Sequence, residues 1–143
     1  MMPEGYQIRP FTMADYPAAY ALWQETEGIR LSSADEPEAI ARYLQRNPGL
    51  SFVAYHEHQL VGAVLCGHDG RRGFLHHLAV ARPYRGHGVG RALVEHALHA
   101  LAECSIAKCH LFVLQHNQQA VQFWRHLGWI ERVELIVFSK VLE

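Results

Sequence analysis

A glycine-rich segment, Arg85–Arg91 with the sequence RGHGVGR, carries the clearest chemical signal in the chain. It lies between a predicted strand and a predicted helix. Glycines there let a ligand approach the backbone closely, because no Cβ intervenes. The free N–H groups and the dipole of a helix N-terminus favour an anion, and the two arginines can bond phosphate oxygens. The segment predicts a phosphate-binding loop, and a glycine-rich turn without a ligand is the alternative.

This loop fits neither of two common nucleotide-binding patterns. No Gly-Lys-Ser/Thr follows it, so it is not a Walker loop. Gly86 and Gly88 match the dinucleotide fingerprint, but Arg91 stands where that fingerprint has its third small residue.

Charge is unevenly distributed along the chain. Residues 70–94 contain five arginines and no acid, whereas residues 25–38 contain five acids and one base, Arg30. The first segment would suit anions and the second cations. The alternative is an uneven surface charge that binds nothing.

The eleven histidines raise the question of a metal site. His56 and His58, and likewise His96 and His99, are spaced as pairs of ligands could be. Neither pair has a third ligand at a recognisable spacing, and His96 falls on the apolar stripe of a predicted helix. We therefore expect no metal.

The elements that must position these residues alternate between strands and helices. Thr12 with Asp15 predicts the start of a first helix, and Asp35 with Pro37 that of a second. Residues at i, i+3, i+4, i+7, i+8, i+11 and i+12 from Val89, all apolar except His96, predict a third, with one buried stripe. Strands are predicted at Tyr6–Arg9, Ser51–His56, Leu60–Cys66, Phe74–Val80, Cys109–Leu114 and Glu134–Leu142, and a last helix at Gln118–Leu127. This order indicates an α/β fold with a mixed sheet.

Composition narrows the class of protein. The chain has 143 residues, half of them hydrophobic, which suits one domain over residues 1–143. A net charge of -1 argues against general nucleic-acid binding. No apolar run approaches about 18 residues, so we expect no membrane span. The first ten residues do not resemble a secretion signal, and three cysteines without CxxC spacing indicate reduced thiols, so we expect a cytoplasmic protein.

Two motifs together resemble a known family. The stretch Leu78–Val94 resembles the acetyl-CoA-binding motif of the GNAT superfamily, the Gcn5-related N-acetyltransferases, whose pattern is Arg/Gln-x-x-Gly-x-Gly/Ala. The downstream segment is similar to the family's Asn-x-x-Ala…Phe-Tyr…Gly-Phe, with Asn117 first and Phe123-Trp124 in the middle. Both motifs occur in family order, and the strand order fits from Tyr6 to Leu142, so the resemblance covers essentially the whole chain.

The resemblance implies a fold and a cosubstrate. The fold would be a single-domain, mostly antiparallel mixed sheet with a splayed parallel strand pair and about four helices. Acetyl-CoA would lie in the gap between the splayed strands, with its pyrophosphate on the loop amides. The implied cofactor-binding residues are Leu78, Ala79, Val80, Arg85, Gly86, His87, Gly88, Val89, Gly90, Arg91, Asn117, Phe123 and Trp124.

The implied reaction is acetyl transfer to a primary amine by direct attack in a ternary complex. An alkyl amine has a pKa of about 10.4, so a base must remove a proton. His76 is the preferred base, because related enzymes place an acid there; Glu27 and Asp35 are rivals. Strand alternation would send His76 and His77 to opposite faces. A backbone N–H near Val80 would stabilise the oxyanion.

One residue departs from the family pattern. The family commonly has a tyrosine where Trp124 stands, and that tyrosine protonates the leaving thiolate. An indole N–H donates a hydrogen bond but not a proton. As a catalytic residue, Trp124 would therefore orient the sulfur; otherwise the thiolate leaves unprotonated or another residue helps. This departure keeps open a catalytically idle acyl-CoA-binding module. A transferase that uses another acyl-CoA is a separate alternative.

The acceptor site would involve Glu27, Arg30 and Asp35. In the family this region covers the cleft opposite the cofactor, and the acceptor would be a small molecule or a peptide end. The acids favour an acceptor with an additional positive charge. Arg30 instead could bind a carboxylate, which would favour an amino acid. An exposed final strand could also pair in a homodimer.

Overall fold

The computed structural model describes residues 4–142, which form a five-stranded sheet and four α-helices. The elements in chain order are β1 (Tyr6–Pro10), α1 (Tyr16–Glu25), α2 (Pro37–Arg46), β2 (Phe52–His56), β3 (Gln59–His68), β4 (Gly73–Val80), α3 (Val89–Glu103), β5 (Cys109–Leu111) and α4 (Gln118–His126). Short 3-10 turns precede α1, α2 and the loop before α3. The predicted α/β class and the number of helices are confirmed.

The sheet is mixed, with the order β1-β2-β3-β4-β5. Neighbouring strands are antiparallel from β1 to β4, and only β4 and β5 are parallel. The parallel pairing joins Gly73–Leu75 to Cys109–Leu111 and stops there, although β4 continues to Val80. Within residues 4–142, no strand pairs with β4 on this side beyond Leu75, as the splayed pair predicts. We call residues 76–80 on this side the open edge of β4.

Helices cover both faces of the sheet. A Cβ at Gly62 in β3 would meet Val89 and Leu93 of α3, which places α3 on one face. The next residue, Ala63, belongs to a buried cluster with Trp23 of α1 and Ile40 of α2 on the other face. Burial of a large apolar side chain contributes about 1.5–3 kcal/mol, and these residues hold α1 and α2 against the sheet.

A β-bulge interrupts β4. Leu65 pairs with His76 and Ala63 pairs with Ala79, so His77 and Leu78 both lie opposite the single residue between Ala63 and Leu65. His77 has a φ of 53°, in the left-handed region that a residue other than glycine seldom adopts. The extra residue breaks the alternation of side chains. The prediction that His76 and His77 point to opposite faces is therefore wrong, and both line one cavity.

The two N-terminal helices begin differently. Thr12 and Asp15 form the predicted capping box, and Asp15 is also bound by Arg9 at 3.0 Å and Tyr55 at 2.7 Å. The prediction that Asp35 caps α2 is wrong, because Glu36 occupies that position. The carboxylate of Asp35 turns back instead and accepts a hydrogen bond from the Ser32 backbone N–H at 3.0 Å.

The C-terminal part differs most from the prediction. Residues from Val113 onward form a second compact unit, whose one helix or strand within the described range is α4. The predicted strand Cys109–Leu114 ends at Leu111, and the strand Glu134–Leu142 is absent from the described residues. The apolar composition of this segment predicted a strand, but composition does not provide the neighbouring strand with which its backbone groups would have to pair. Its large apolar residues are exposed, Phe138 by 86%.

Candidate active site

The glycine-rich loop presents a row of free backbone amides. Gly86 and Gly88 have φ values of 82° and 83°, and Gly88 is the residue that precedes α3. The first backbone bond beyond the loop runs from Ala92 N–H to the Gly88 carbonyl at 3.0 Å. In the described chain, the amides of residues 86–91 donate to no carbonyl or side chain. This row at the start of a fifteen-residue helix is suited to an anion.

Arg85 fastens this loop to two other parts of the molecule. Its Nε donates to the Val80 carbonyl at 2.8 Å, and its Nη2 lies 3.2 Å from Glu27 Oε1. Arg82 binds the other oxygen of Glu27 at 2.9 Å. Arg91 lies 3.3 Å from Glu95 on the exposed side of α3. Because both loop arginines have acidic partners, the backbone amides are the main unoccupied groups for an anion.

The carboxylate of Glu27 is poorly suited to take up a proton. A hydrogen bond from its own backbone N–H, and the guanidinium of Arg85, lower the pKa of Glu27 to about 2. A base with so low a pKa is weak at neutral pH. The geometry therefore favours Glu27 as a link between the loop and the residues after α1, not as the catalytic base.

The low pKa of Glu27 predicts a measurable effect on acid stability. A depressed pKa gives stability that is present above the unfolded value of about 4.3 and is lost as pH falls towards the folded value. Between pH 5 and pH 2, Glu27→Gln should therefore lose less free energy of unfolding than the wild type, by up to about 1 kcal/mol for so exposed a pair. Denaturant titrations across this range measure the difference. Glu25→Gln, two residues away and without an ion pair in residues 4–142, is the control. Parallel curves for Glu27→Gln and wild type would contradict the prediction.

An open cavity of about 240 Å³ lies beside β4, on the face that carries α1 and α2. Its charged side chains come from the loop after α1, its two imidazoles from β4 at the bulge, and a phenol from α2. Sequence reasoning missed the apolar part of the lining, because the apolar stripe of α2 gave no sign that it borders a cavity. The lining residues are Arg30, Ser32, Ala34, Asp35, Ile40, Tyr43, Leu65, His76 and His77.

His77 and Asp35 form a close pair in this cavity. His77 Nε2 lies 2.7 Å from Asp35 Oδ1, and the side chain of Asp35 is only 7% exposed. The Trp23 indole N–H donates to the His77 carbonyl at 3.1 Å, and the Tyr16 hydroxyl donates to the Asp35 carbonyl at 2.6 Å. Both oxygens of the Asp35 carboxylate have partners, so a proton from substrate would compete there with the His77 ring and the Ser32 N–H.

His76 differs from its neighbour because no hydrogen bond within residues 4–142 holds its ring nitrogens. Its ring stands edge-on to Tyr43, with 6.4 Å between centroids. Burial lowers the pKa of His76 below its ordinary value, and His77 lowers it further, while Asp35 acts in the opposite direction. A low pKa keeps the ring neutral at pH 7, with a nitrogen lone pair ready for a proton.

The second unit contains the other residues of the predicted cofactor site. Asn117 precedes α4, and its Oδ1 accepts a hydrogen bond from Ala120 N–H at 3.1 Å. Trp124 packs edge-on against Phe123 and Trp129, with centroid distances of 5.0 Å in both pairs. Asn117 thus has a capping function within its own unit, and Trp124 belongs to an aromatic cluster.

The remaining histidines do not gather into a metal site within the described residues. No group of three or more His, Cys, Asp or Glu side chains there could hold an ion. His96 is exposed and packs on Phe52, contrary to its predicted burial on the apolar stripe. No helix in residues 4–142 is long and apolar enough to cross a bilayer.

Similarity to known proteins extends over nearly the whole chain. The profile of the acetyltransferase (GNAT) family matches residues 16–129. The chain belongs to this family. An acetyltransferase of Pectobacterium atrosepticum is 32% identical over 136 residues, which are 95% of each chain. The GNAT resemblance of the two motifs is thereby confirmed.

Solved GNAT structures share the fold. Ard1 from Thermoplasma volcanium superposes with a TM-score of 0.78 at 21% identity, over 88% of this chain and 83% of that one. Arabidopsis thaliana Naa50, solved with the bisubstrate analogue CoA-Ac-MVNAL, gives a TM-score of 0.68 at 21% identity, over 87% and 82% of the two chains. The mixed sheet with its splayed strands is therefore the GNAT fold.

Proposed function

We propose that this GNAT protein is an acetyl-CoA-dependent N-acetyltransferase and that residues 1–143 act as one catalytic domain. The observation that carries the proposal is the open edge of β4, which runs from the cavity histidines to the free amides of the loop. Residues 76–80 span about 13 Å at strand spacing. A long ligand with phosphates at one end and a reactive group at the other fits this arrangement, and the CoA analogue bound by Naa50 has that form.

The chain offers backbone N–H groups on the loop and at the end of this edge. The amides of residues 86–91 would bind the pyrophosphate, as the row at the start of α3 favours. Ala81 N–H donates to Val61 across the sheet, so the N–H and C=O of Val80 point the other way, towards the open edge. The Val80 C=O accepts from Arg85 there, which leaves the Val80 N–H for a ligand. Leu78, Ala79 and Val80 would hold the pantetheine, and an open-edge N–H would stabilise negative charge on the acetyl oxygen.

The cavity residues supply the acid–base chemistry. Acetyl-CoA supplies an acetyl thioester as electrophile. The acceptor ammonium loses one proton to His76, and the free amine then forms the new C–N bond. The C–S bond breaks, CoA leaves as the thiolate, and the second proton of the nitrogen passes to water. The His77–Asp35 pair fixes the bulge and so holds His76 at the cavity wall. Of the candidate bases, only His76 lies in the cavity and also has proton-accepting atoms that no residue from 4 to 142 engages.

No residue of the cavity replaces the tyrosine that the family uses as general acid. Trp124 donates hydrogen bonds but no proton. The Tyr43 hydroxyl is buried without a hydrogen-bond partner in residues 4–142, and burial raises the pKa of Tyr43. A phenol so hard to ionise is a weak acid, so we infer that CoA leaves as the thiolate, whose pKa by analogy with cysteine is about 8.5.

Release of free CoA in the presence of amines tests the proposal directly. The purified protein with acetyl-CoA and a broad amine panel should release thiol only when an acceptor is present. Parallel assays with propionyl-CoA and succinyl-CoA test the rival donors. Tight acetyl-CoA binding without turnover on any amine would overturn the proposal and leave the acyl-CoA-binding module, which the departure at Trp124 favours.

A further inference from the structure

The charged groups around the cavity are not equally available to a substrate. Asp35 is paired through both oxygens, with His77 at 2.7 Å and with Ser32 N–H at 3.0 Å. Glu27 is occupied by Arg82 and Arg85, and it is not among the cavity residues. The two acids of the predicted acceptor site, Glu27 and Asp35, therefore both have basic partners already.

Arg30 is in the opposite situation. It lines the cavity, and it makes no hydrogen bond or ion pair with any residue from 4 to 142. The nearby wall is apolar, with Ala34, Ile40 and Leu65. A guanidinium presents a planar set of N–H donors that matches a carboxylate in a bidentate arrangement. Arg30 is exposed, and the carboxylate that shares the cavity with it, Asp35, is held by His77 and Ser32. The guanidinium is therefore available to a carboxylate of a ligand.

We infer that the acceptor is an amine that also carries a carboxylate and an apolar side chain, with Arg30 binding the carboxylate. The inference rests on the proposed N-acetyltransferase activity and names its substrate class. The carboxylate takes no part in bond making: the amine nitrogen gains the acetyl group, CoA leaves as the thiolate, and Arg30 only orients the acceptor. The carboxylate could belong to a free amino acid or to the side chain of an acidic N-terminal residue of a peptide.

Matched acceptors and matched variants test this inference. CoA release is measured with leucine, leucinamide, 3-methylbutylamine and the dipeptide amide Glu-Leu-NH₂, over a series of concentrations. The wild type should use leucine or the glutamyl dipeptide far better than leucinamide or 3-methylbutylamine. In Arg30→Gln, the KM for the preferred carboxylate-bearing acceptor should rise about 10- to 100-fold, the loss of a charge-assisted hydrogen bond, while the KM for leucinamide stays unchanged.

Arg42→Gln is the matched control, because Arg42 is an exposed arginine of α2 outside the cavity. It should leave all four KM values unchanged. A wild type that prefers leucinamide or 3-methylbutylamine would overturn the carboxylate inference while the transferase activity stands. An equal rise in KM for all acceptors in Arg30→Gln would overturn it as well. Absence of CoA release with every amine of this set and of the broad panel would instead count against the proposed function.

Discussion

Replacement of Gly88 with valine is expected to weaken acetyl-CoA binding by at least about 100-fold. Gly88 has a φ of 83° and precedes α3, and a β-branched residue is strained there. Relief of that strain would move the amides at the start of the helix. The loss of two hydrogen bonds to phosphate, at about 1.5–3 kcal/mol each, accounts for the expected change. Isothermal titration calorimetry with acetyl-CoA measures it.

Gly70→Val separates backbone strain from loss of the binding loop. Gly70 has a φ of 93° in the turn between β3 and β4, with open space around it, so valine there meets a similar strain away from α3. This control should bind acetyl-CoA as the wild type does. If Gly88→Val unfolds, the smaller change Gly86→Ala, at a φ of 82°, should still weaken binding. Wild-type affinity in a folded Gly88→Val protein would contradict the role of the loop.

Removal of the His76 imidazole should lower turnover by about 100-fold or more, the usual contribution of a general base. His76→Ala should leave the affinity for acetyl-CoA nearly unchanged, because the ring lies in the cavity and not on the loop. The base must be unprotonated to act, and burial lowers its pKa. In the wild type, kcat/KM should therefore fall with decreasing pH only below about 6.5, and this acidic limb should disappear in His76→Ala.

Two further variants give this experiment its control and its alternative. His99→Ala removes an exposed imidazole of α3 that lies beside Glu103 and should leave turnover unchanged. Asp35→Asn alters the partner of His77 and leaves the His76 imidazole itself intact. Near-normal turnover in His76→Ala, with a large loss in Asp35→Asn, would move the base to the His77–Asp35 pair.

Local patterns were enough to predict most of the fold. The spacing from Val89 to Leu101 describes one helix face, and four of those residues, Val89, Leu93, Ala97 and Leu101, are buried in α3. The capping box of Thr12 and Asp15 likewise acts over three residues. The loop Arg85–Arg91 was readable because glycines with positive φ leave a direct trace in the sequence.

The rest of the site depends on contacts between residues that are far apart in the sequence. His77 and Asp35 are 42 residues apart, and no periodicity relates them. The bulge places a histidine at positive φ, where sequence preference would call for glycine. Glu27 and Arg85 form an ion pair although they are 58 residues apart, so the sequence of residues 25–38 alone does not show it. The count of acids in that segment therefore overstated the negative charge that a substrate meets.

The bulge also constrains the length of β4, independently of which residues fill it. His76 and Ala79 are three positions apart, yet both belong to the side of the sheet that packs on α1 and α2. Deletion of one of the two residues between them would restore regular alternation and keep both on that side, because residues two apart share a face of a strand. His77 would then be lost or would point to the opposite face, and its contact with Asp35 would be lost in either case. A one-residue deletion in β4 is therefore expected to leave the buried cluster in register and to remove one histidine from the cavity.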